Sequence, residues 1–159
     1  MNTTDNPAPE VCVIGVGNPF RGDDSIGLRV VQTLRERTPE AALFFEVSGE
    51  AIALMEAFAE KNTVLLIDAA QTGAAAGTLH RFDASQQPLP SSLLRYSTHL
   101  LSVPDALEMA RALDRLPEKI IVYGIEGTHF DTSESLSPAL ESSLESVVNQ
   151  ILEELQSLG

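Results

Sequence analysis

A short strand that runs through a glycine turn into two adjacent carboxylates is the feature that most constrains this chain. Residues 11–16, VCVIGV, are apolar and rich in β-branched side chains, which is typical of a buried parallel strand. Apolar residues then recur at helical spacing from Ile26 onward. The turn between them ends in Asp23 and Asp24, at the mouth of the predicted helix, where free N–H groups and the positive end of the helix dipole lie.

A strand, a glycine turn and a helix in this order are also typical of a phosphate-binding loop. A dinucleotide fingerprint that starts at Gly15 needs its third glycine at position 20, which is Phe20, and the two aspartates would repel a pyrophosphate. Glu46, near the end of the second predicted strand, could imitate the ribose-binding acid of nucleotide-binding folds. A nucleotide-binding α/β protein therefore stays open as an alternative, although carboxylates crowded at this place suit a cation better.

The segment 15–27, GVGNPFRGDDSIG, resembles the N-terminal signature of the hydrogenase maturation proteases, the endopeptidases that trim the large subunit of nickel-iron hydrogenases. Ser25 departs from that family, many of whose members have glycine there, but both acids are intact. Further motifs follow in the family's order and at about its spacing, so that the likeness covers nearly the whole chain. They are LLIDAA at 65–70, AGTLH at 76–80, STH at 97–99, YGIE at 123–126 and LSPAL at 136–140.

The resemblance implies an endopeptidase that removes a C-terminal peptide from the precursor of a hydrogenase large subunit after nickel insertion. Three residues of that family bind the nickel of the substrate, and the matching motifs assign these roles, catalytic and metal-binding, to Asp24, Asp68 and His99. Nickel would then arrive with the precursor, the expected partner, and would not be a resident cofactor. The implied fold is phosphorylase/hydrolase-like.

Strand and helix alternate along the chain, which predicts an α/β fold: a single three-layer αβα domain, 1–159, with residues 1–9 flexible. A Gly- and Ala-rich turn, 73–77, separates predicted strands three and four, which indicates a hairpin and hence one antiparallel strand in a mostly parallel five-stranded sheet. Residues 84–98 are predicted to be a surface loop. Strands are predicted at 11–16, 43–47, 63–67, 78–82 and 120–125, and helices at 25–37, at 50–60, from 102 or 103, and from Pro138 after a Ser137 cap.

This layout gives the candidate ligands a geometric basis of their own. Asp24 follows the first strand, Asp68 ends the third and His99 precedes a helix, so that all three can lie at the carboxyl edge of the sheet. Two carboxylates and an imidazole suit Ni(II) or Zn(II) better than Mg(II). The sequence has no HExxH helix and no GxSxG elbow, and Cys12 lies in a predicted core strand, which argues against the common zinc, serine and cysteine proteases.

Each candidate also has a plainer structural explanation. Asp23 and Asp24 could cap the first helix, Asp68 could start an Asx-turn, and His99 could be an ordinary histidine at a helix entry.

Two further histidines serve as comparisons for the candidate ligands. His80 is expected on the strand surface, and His129, with Glu126 in the GIEGTH turn, is near enough in principle to contact the ligands or the substrate. A maturation chaperone that shares the nickel site but cuts nothing also stays open as an alternative.

Composition limits the other classes of function. The net charge of −13 is spread along the chain and leaves no basic patch, which argues against nucleic acid or an anionic membrane as a partner. No apolar run approaches the roughly 20 residues that span a bilayer, and the polar start, 1–10, does not fit a secretory signal. A single cysteine suits a reducing compartment, so the expected location is the cytoplasm.

Overall fold

One five-stranded sheet organises the chain in a computed structural model that describes residues 11–90, 93 and 102–158. The predicted ligand His99 lies outside the described residues. The strands are β1 (Val11–Val16), β2 (Leu43–Val47), β3 (Thr63–Ala70), β4 (Leu79–Asp83) and β5 (Lys119–Glu126), and the helices are α1 (Ile26–Arg37), α2 (Ala51–Phe58), α3 (Val103–Ala112) and α4 (Pro138–Leu158). The strand order in the sheet is β2-β1-β3-β5-β4, and all neighbouring strands are parallel except β4, which is antiparallel to β5.

Helices cover both faces of the sheet, as the alternating pattern predicts. One core cluster joins one face of the sheet to the apolar stripes of α1 and α4, and includes Val13, Leu65 and Ile151. The other joins the opposite face to α2 and α3, and includes Leu66 and Leu107. Central strands that are buried on both faces must be apolar almost throughout, which explains the continuous runs in β1, β3 and β5. The predicted mostly parallel αβα sheet is confirmed.

The predicted hairpin between strands three and four is wrong, although the antiparallel strand itself is present. β5 lies between β3 and β4 and pairs with β3 along its whole length, from Thr63 opposite Lys119 to Ala70 opposite Glu126. β5 is apolar on both faces, so it takes the buried central position, and the more polar β4 is left at the edge. The connection between β3 and β4 therefore crosses the end of β5.

The segment after β1 is a 3-10 turn, Gly22–Ser25, and α1 begins only at Ile26. β3 extends to Ala70, three residues beyond the predicted end, so that Asp68 lies within the strand. The predicted start of α3 is confirmed, because Ser102 and Asp105 form a capping box. Within the predicted surface loop 84–98, Ala84 is buried in the core. Among the residues that the structure describes, no helix is long and apolar enough to span a membrane.

Candidate functional site

Asp24 and Asp68 lie at the carboxyl edge of the sheet, close enough for the charge of Asp24 to raise the pKa of Asp68. The 3-10 turn brings Asp24 beside the end of β1, where its Oδ2 accepts a hydrogen bond from the Asn18 N–H at 3.0 Å. Asp68 lies near the end of the neighbouring strand β3 and is only 6% exposed. Its Oδ1 accepts the N–H of Ala69 at 2.7 Å. Two of the three predicted ligands are therefore brought together from separate parts of the chain.

The electrostatics of this pair favour a cation. Burial raises the pKa of Asp68 well above its ordinary value, and the nearby Asp24 carboxylate raises this pKa further, against the opposing effect of the Ala69 hydrogen bond. Ionised Asp68 is thus held in a poorly solvated position beside a like charge, an arrangement that costs free energy. A divalent cation between the two carboxylates would remove that repulsion and stabilise both ionised groups.

Glycines fix how closely the acidic turn approaches the sheet. A Cβ atom at Gly17 would lie 2.0 Å from the carbonyl oxygen of Asp24, so no side chain fits between the end of β1 and the 3-10 turn. A Cβ at Gly27 would lie 2.3 Å from the carbonyl oxygen of Ile67, and its absence lets the start of α1 rest on β3. These contacts between backbones hold Asp24 near Asp68, which explains part of the glycine pattern in the motif.

Asp23 has a structural role, but not the predicted one of capping the first helix. It is completely buried, and its Oδ1 accepts the Ser137 N–H at 2.7 Å. Its Oδ2 accepts the N–H groups of Thr128 and His129, at 2.8 and 3.1 Å, and the Ser137 hydroxyl at 2.9 Å. Asp23 therefore ties the 3-10 turn to the connection between β5 and α4. The prediction from local sequence was wrong because the donors lie more than 100 residues away along the chain.

The pKa of Asp23 reflects these contacts. Burial alone raises the pKa, but the hydrogen bonds from Ser137, Thr128 and His129 outweigh burial and hold the pKa below its ordinary value. Asp23 thus remains an ionised buried acceptor, whereas Asp68 is the acid whose ionised form is disfavoured.

The third predicted ligand, His99, stays a prediction. Within the described ranges 11–90, 93 and 102–158, no group of three His, Cys, Asp or Glu side chains could hold a metal ion. Asp24 and Asp68 therefore need a donor from outside those ranges to complete a three-ligand site. The start of α3 at Val103 follows His99 closely in the chain, in agreement with a histidine that precedes a helix.

From the sequence alone, Glu126 is linked only with His129 of the same predicted turn. In the structure this buried carboxylate has a different set of partners. Its two oxygens accept the N–H and the hydroxyl of Thr72, each at 2.7 Å, and the Gly73 N–H at 3.1 Å. The Nε2 atom of His80 lies 3.1 Å from Glu126 Oε1, so this partly exposed histidine, which was expected on the strand surface, also has a buried partner. Glu126 fixes the start of the connection that crosses the end of β5.

His129 and Glu46 have local roles in the structure. The exposed His129 ring lies beside the Thr128 hydroxyl, with its Nδ1 3.0 Å from Oγ1, and its backbone N–H donates to Asp23. Glu46 accepts hydrogen bonds from Gln32 and Arg35 of α1, an arrangement that anchors the edge strand β2. Neither contact supports a nucleotide site.

Replacing Glu126 with Gln is expected to lower the free energy of unfolding by about 1 kcal/mol at neutral pH, because the hydrogen bonds that an ionised carboxylate accepts are stronger than those to a neutral amide. Burial raises the pKa of Glu126, but its hydrogen bonds outweigh burial, so the folded-state pKa lies below the ordinary value of 4.5. The wild-type advantage is therefore complete above the unfolded-state pKa and is lost as the pH falls through the lower folded-state value. Urea unfolding of both proteins from about pH 7 to pH 3 measures how the difference in their stability changes with pH.

The exposed Glu153 on α4 provides the matched control, since Glu153→Gln removes a charge without removing a buried acceptor. A stability difference for Glu126→Gln that stays constant over the whole pH range would contradict the ionised state of Glu126.

Similar folds occur among solved proteins that come from bacteria and archaea. The hydrogenase maturating endopeptidase HybD from Escherichia coli superposes with a TM-score of 0.75 at 23% identity and covers 94% of each chain. The [NiFe] hydrogenase maturation protease HybD from Thermococcus kodakarensis gives a TM-score of 0.72, also at 23% identity, over 92% of this chain and 98% of that one. At these identities the likeness establishes the fold.

The family follows from the sequence. The model of the hydrogenase maturation protease family, HycI, matches residues 28–154, which is most of the chain. This chain belongs to the hydrogenase maturation protease family. The family assignment makes it a protease, a hydrolase of peptide bonds, and confirms the resemblance in its motifs. The matched range includes Asp68 and His99 and begins just after Asp24.

Curated relatives of this protease extend the match across the acidic turn. The hydrogenase expression/formation protein HoxM of Azotobacter vinelandii is 26% identical over 155 residues, which is 96% of this chain and 75% of the relative. The hydrogenase 2 maturation protease of Escherichia coli is 25% identical over 152 residues, 94% of this chain and 92% of that protein. The likeness therefore spans nearly the whole protease.

Proposed function

We propose that this protease removes a C-terminal peptide from the precursor of a nickel-iron hydrogenase large subunit and recognises the nickel already inserted there. The observation that carries the proposal is the placement of Asp24 beside the end of β1 and of buried Asp68 near the end of neighbouring β3, where burial first and the like charge second oppose ionisation of Asp68. A site built this way gains most from a divalent cation. Nickel is then part of the substrate, and His99 supplies the nitrogen ligand that suits a borderline metal.

Nickel recognition by these residues would act as a checkpoint. A precursor without nickel presents no cation to Asp24 and Asp68, so it lacks this contact and binds weakly. A loaded precursor is held with its scissile bond near the metal, which can polarise the carbonyl, position it or activate a water molecule. All three routes use the same three ligands. Processing in this form takes place in the cytoplasm, where the precursor would be loaded.

Mass spectrometry of the precursor before and after incubation tests the proposal. Nickel-loaded precursor should lose one C-terminal peptide, whereas nickel-free precursor should remain intact. Binding of loaded precursor with no release of a peptide would indicate the non-catalytic chaperone instead.

Replacing His99 with Ala is expected to abolish processing of the loaded precursor, because one of three metal ligands is lost. His80→Ala is the matched control: it removes the hydrogen bond to Glu126, which lowers the stability by about 1 kcal/mol, but leaves the ligands in place. Initial rates of peptide release, measured well below the unfolding temperature, compare the two. Near-normal processing by His99→Ala would show that His99 is not a ligand.

A further inference from the structure

An apolar groove between α2 and α3 lies on the opposite edge of the sheet from the carboxylate pair. Its volume is about 740 Å³, and it is lined by Ile52 and Met55 of α2 and Met109 of α3. It reaches the segments that directly precede β3 and β5, at the amino ends of these strands. Asp68 lies five residues further along β3 than Thr63, which corresponds to about 17 Å of strand.

Large apolar side chains are exposed around this groove. Ile52 is 68% exposed and Met109 37%, and Leu113, which directly follows α3, is 58% exposed. No comparable side chain is exposed on the described parts of α1 or α4, which cover the other face of the sheet. Apart from Met1, both methionines of the chain line the groove. Methionine is flexible and polarisable and is common on surfaces that bind apolar side chains.

The rim of the groove is acidic. Four of the residues that line the groove are Asp or Glu, and none of them makes an ion pair with any other residue in the described ranges. Their charges are therefore available to a partner. A second copy of this chain is a poor occupant because its own net charge of −13 would be repelled. Charge complementarity instead favours a basic partner. The acidic lining residues are Glu56, Glu60, Asp114 and Glu118, and the basic ones are Lys61 and Arg115.

We propose that the groove between α2 and α3 docks a segment of the hydrogenase precursor that carries apolar side chains flanked by lysine or arginine. This inference rests on the proposed function, since it assigns a second contact to the same substrate. The apolar side chains of the segment fill the groove over Ile52 and Met109, and its basic side chains face the acidic rim. Because docking and cleavage occur at opposite edges of the sheet, the groove contributes to KM and leaves kcat unchanged.

Two substitutions in the groove test this inference through the kinetics of processing. Ile52→Asp is expected to raise KM for nickel-loaded precursor about tenfold, because it removes an apolar contact. Aspartate is tolerated in the first turn of α2, so the fold should be retained, and circular dichroism checks this. Glu56→Lys is expected to raise KM severalfold at low salt, with a difference from wild type that shrinks as the ionic strength rises. The kcat of both variants should stay within about twofold of wild type.

The control is Glu153→Lys, which makes the same charge change on the exposed side of α4 and should leave KM unaltered. KM values within about twofold of wild type for both groove variants, in a protein that processes the precursor normally, overturn the docking site but leave the proposed function standing. A wild-type protein that sediments as a dimer, while Ile52→Asp is a monomer, also overturns the inference, since a second copy then fills the groove. Failure of the wild type to process any loaded precursor overturns both.

Discussion

Replacing Asp24 with Asn should lower processing of nickel-loaded precursor by more than about 100-fold, since even residues that only support a metal ligand contribute about 10- to 100-fold. The amide oxygen can still accept the Asn18 N–H, and the like charge beside Asp68 is removed, so we expect the variant to be at least as stable as the wild type. Loss of activity without loss of stability is the signature of a ligand. Rates of peptide release and thermal unfolding of the same samples measure the two effects.

Cleavage by the wild type should also depend on nickel in the precursor and respond little to reagents that modify serine or cysteine nucleophiles. The single cysteine, Cys12, is fully buried in β1, out of reach of such reagents. If nickel-free precursor is cut as fast as the loaded form, the proposal that Asp24 and Asp68 recognise the metal is wrong. The chain would still be a member of its protease family.

The parts of the fold that could be predicted from sequence are those fixed by local pattern. β1 and β2 begin and end where the sequence predicted, because runs of β-branched or aromatic residues are bounded by turn residues. Ser137 and Pro138 likewise mark the start of α4, since capping depends on the residues themselves.

The pairing of β4 could not be predicted in this way. A short Gly- and Ala-rich connection usually joins adjacent strands, but the neighbour of β3 is decided by which strand can be buried on both faces. β5 meets that requirement and β4 does not, and the comparison involves segments about 40 residues apart. Contacts of Glu126 with Thr72 and His80 follow from this order of strands and were hidden for the same reason.

The candidate site, like the fold, could be predicted from the sequence only in part. The sequence order of strand ends was enough to predict that Asp24 and Asp68 lie near each other at one edge of the sheet, because parallel strands end at the same edge. The separate roles of the two neighbouring aspartates were not predictable from the motif alone. Asp23 accepts hydrogen bonds from the connection before α4, whereas Asp24 accepts the Asn18 N–H and lies near Asp68, a difference that only the packing of distant segments decides.

Replacing Asp23 with Asn is expected to lower the free energy of unfolding by about 3 kcal/mol, although the two side chains have nearly the same size. Both carboxylate oxygens accept hydrogen bonds, from Ser137 on one side and from Thr128 and His129 on the other. In either orientation of the amide, its NH2 group therefore faces buried N–H donors and leaves them unsatisfied. Urea unfolding at neutral pH measures the loss.

Asp131→Asn is the matched control for Asp23→Asn, because Asp131 is exposed in the same connection between β5 and α4, and its substitution should change the stability by less than about 0.5 kcal/mol. Asp23→Asn should also keep more processing activity than Asp24→Asn when both are assayed far below their unfolding temperatures, since it loses no metal ligand. If Asp23→Asn were as stable as the wild type but inactive, Asp23 would belong with the ligands, and the division of roles between the two aspartates would have to be reversed.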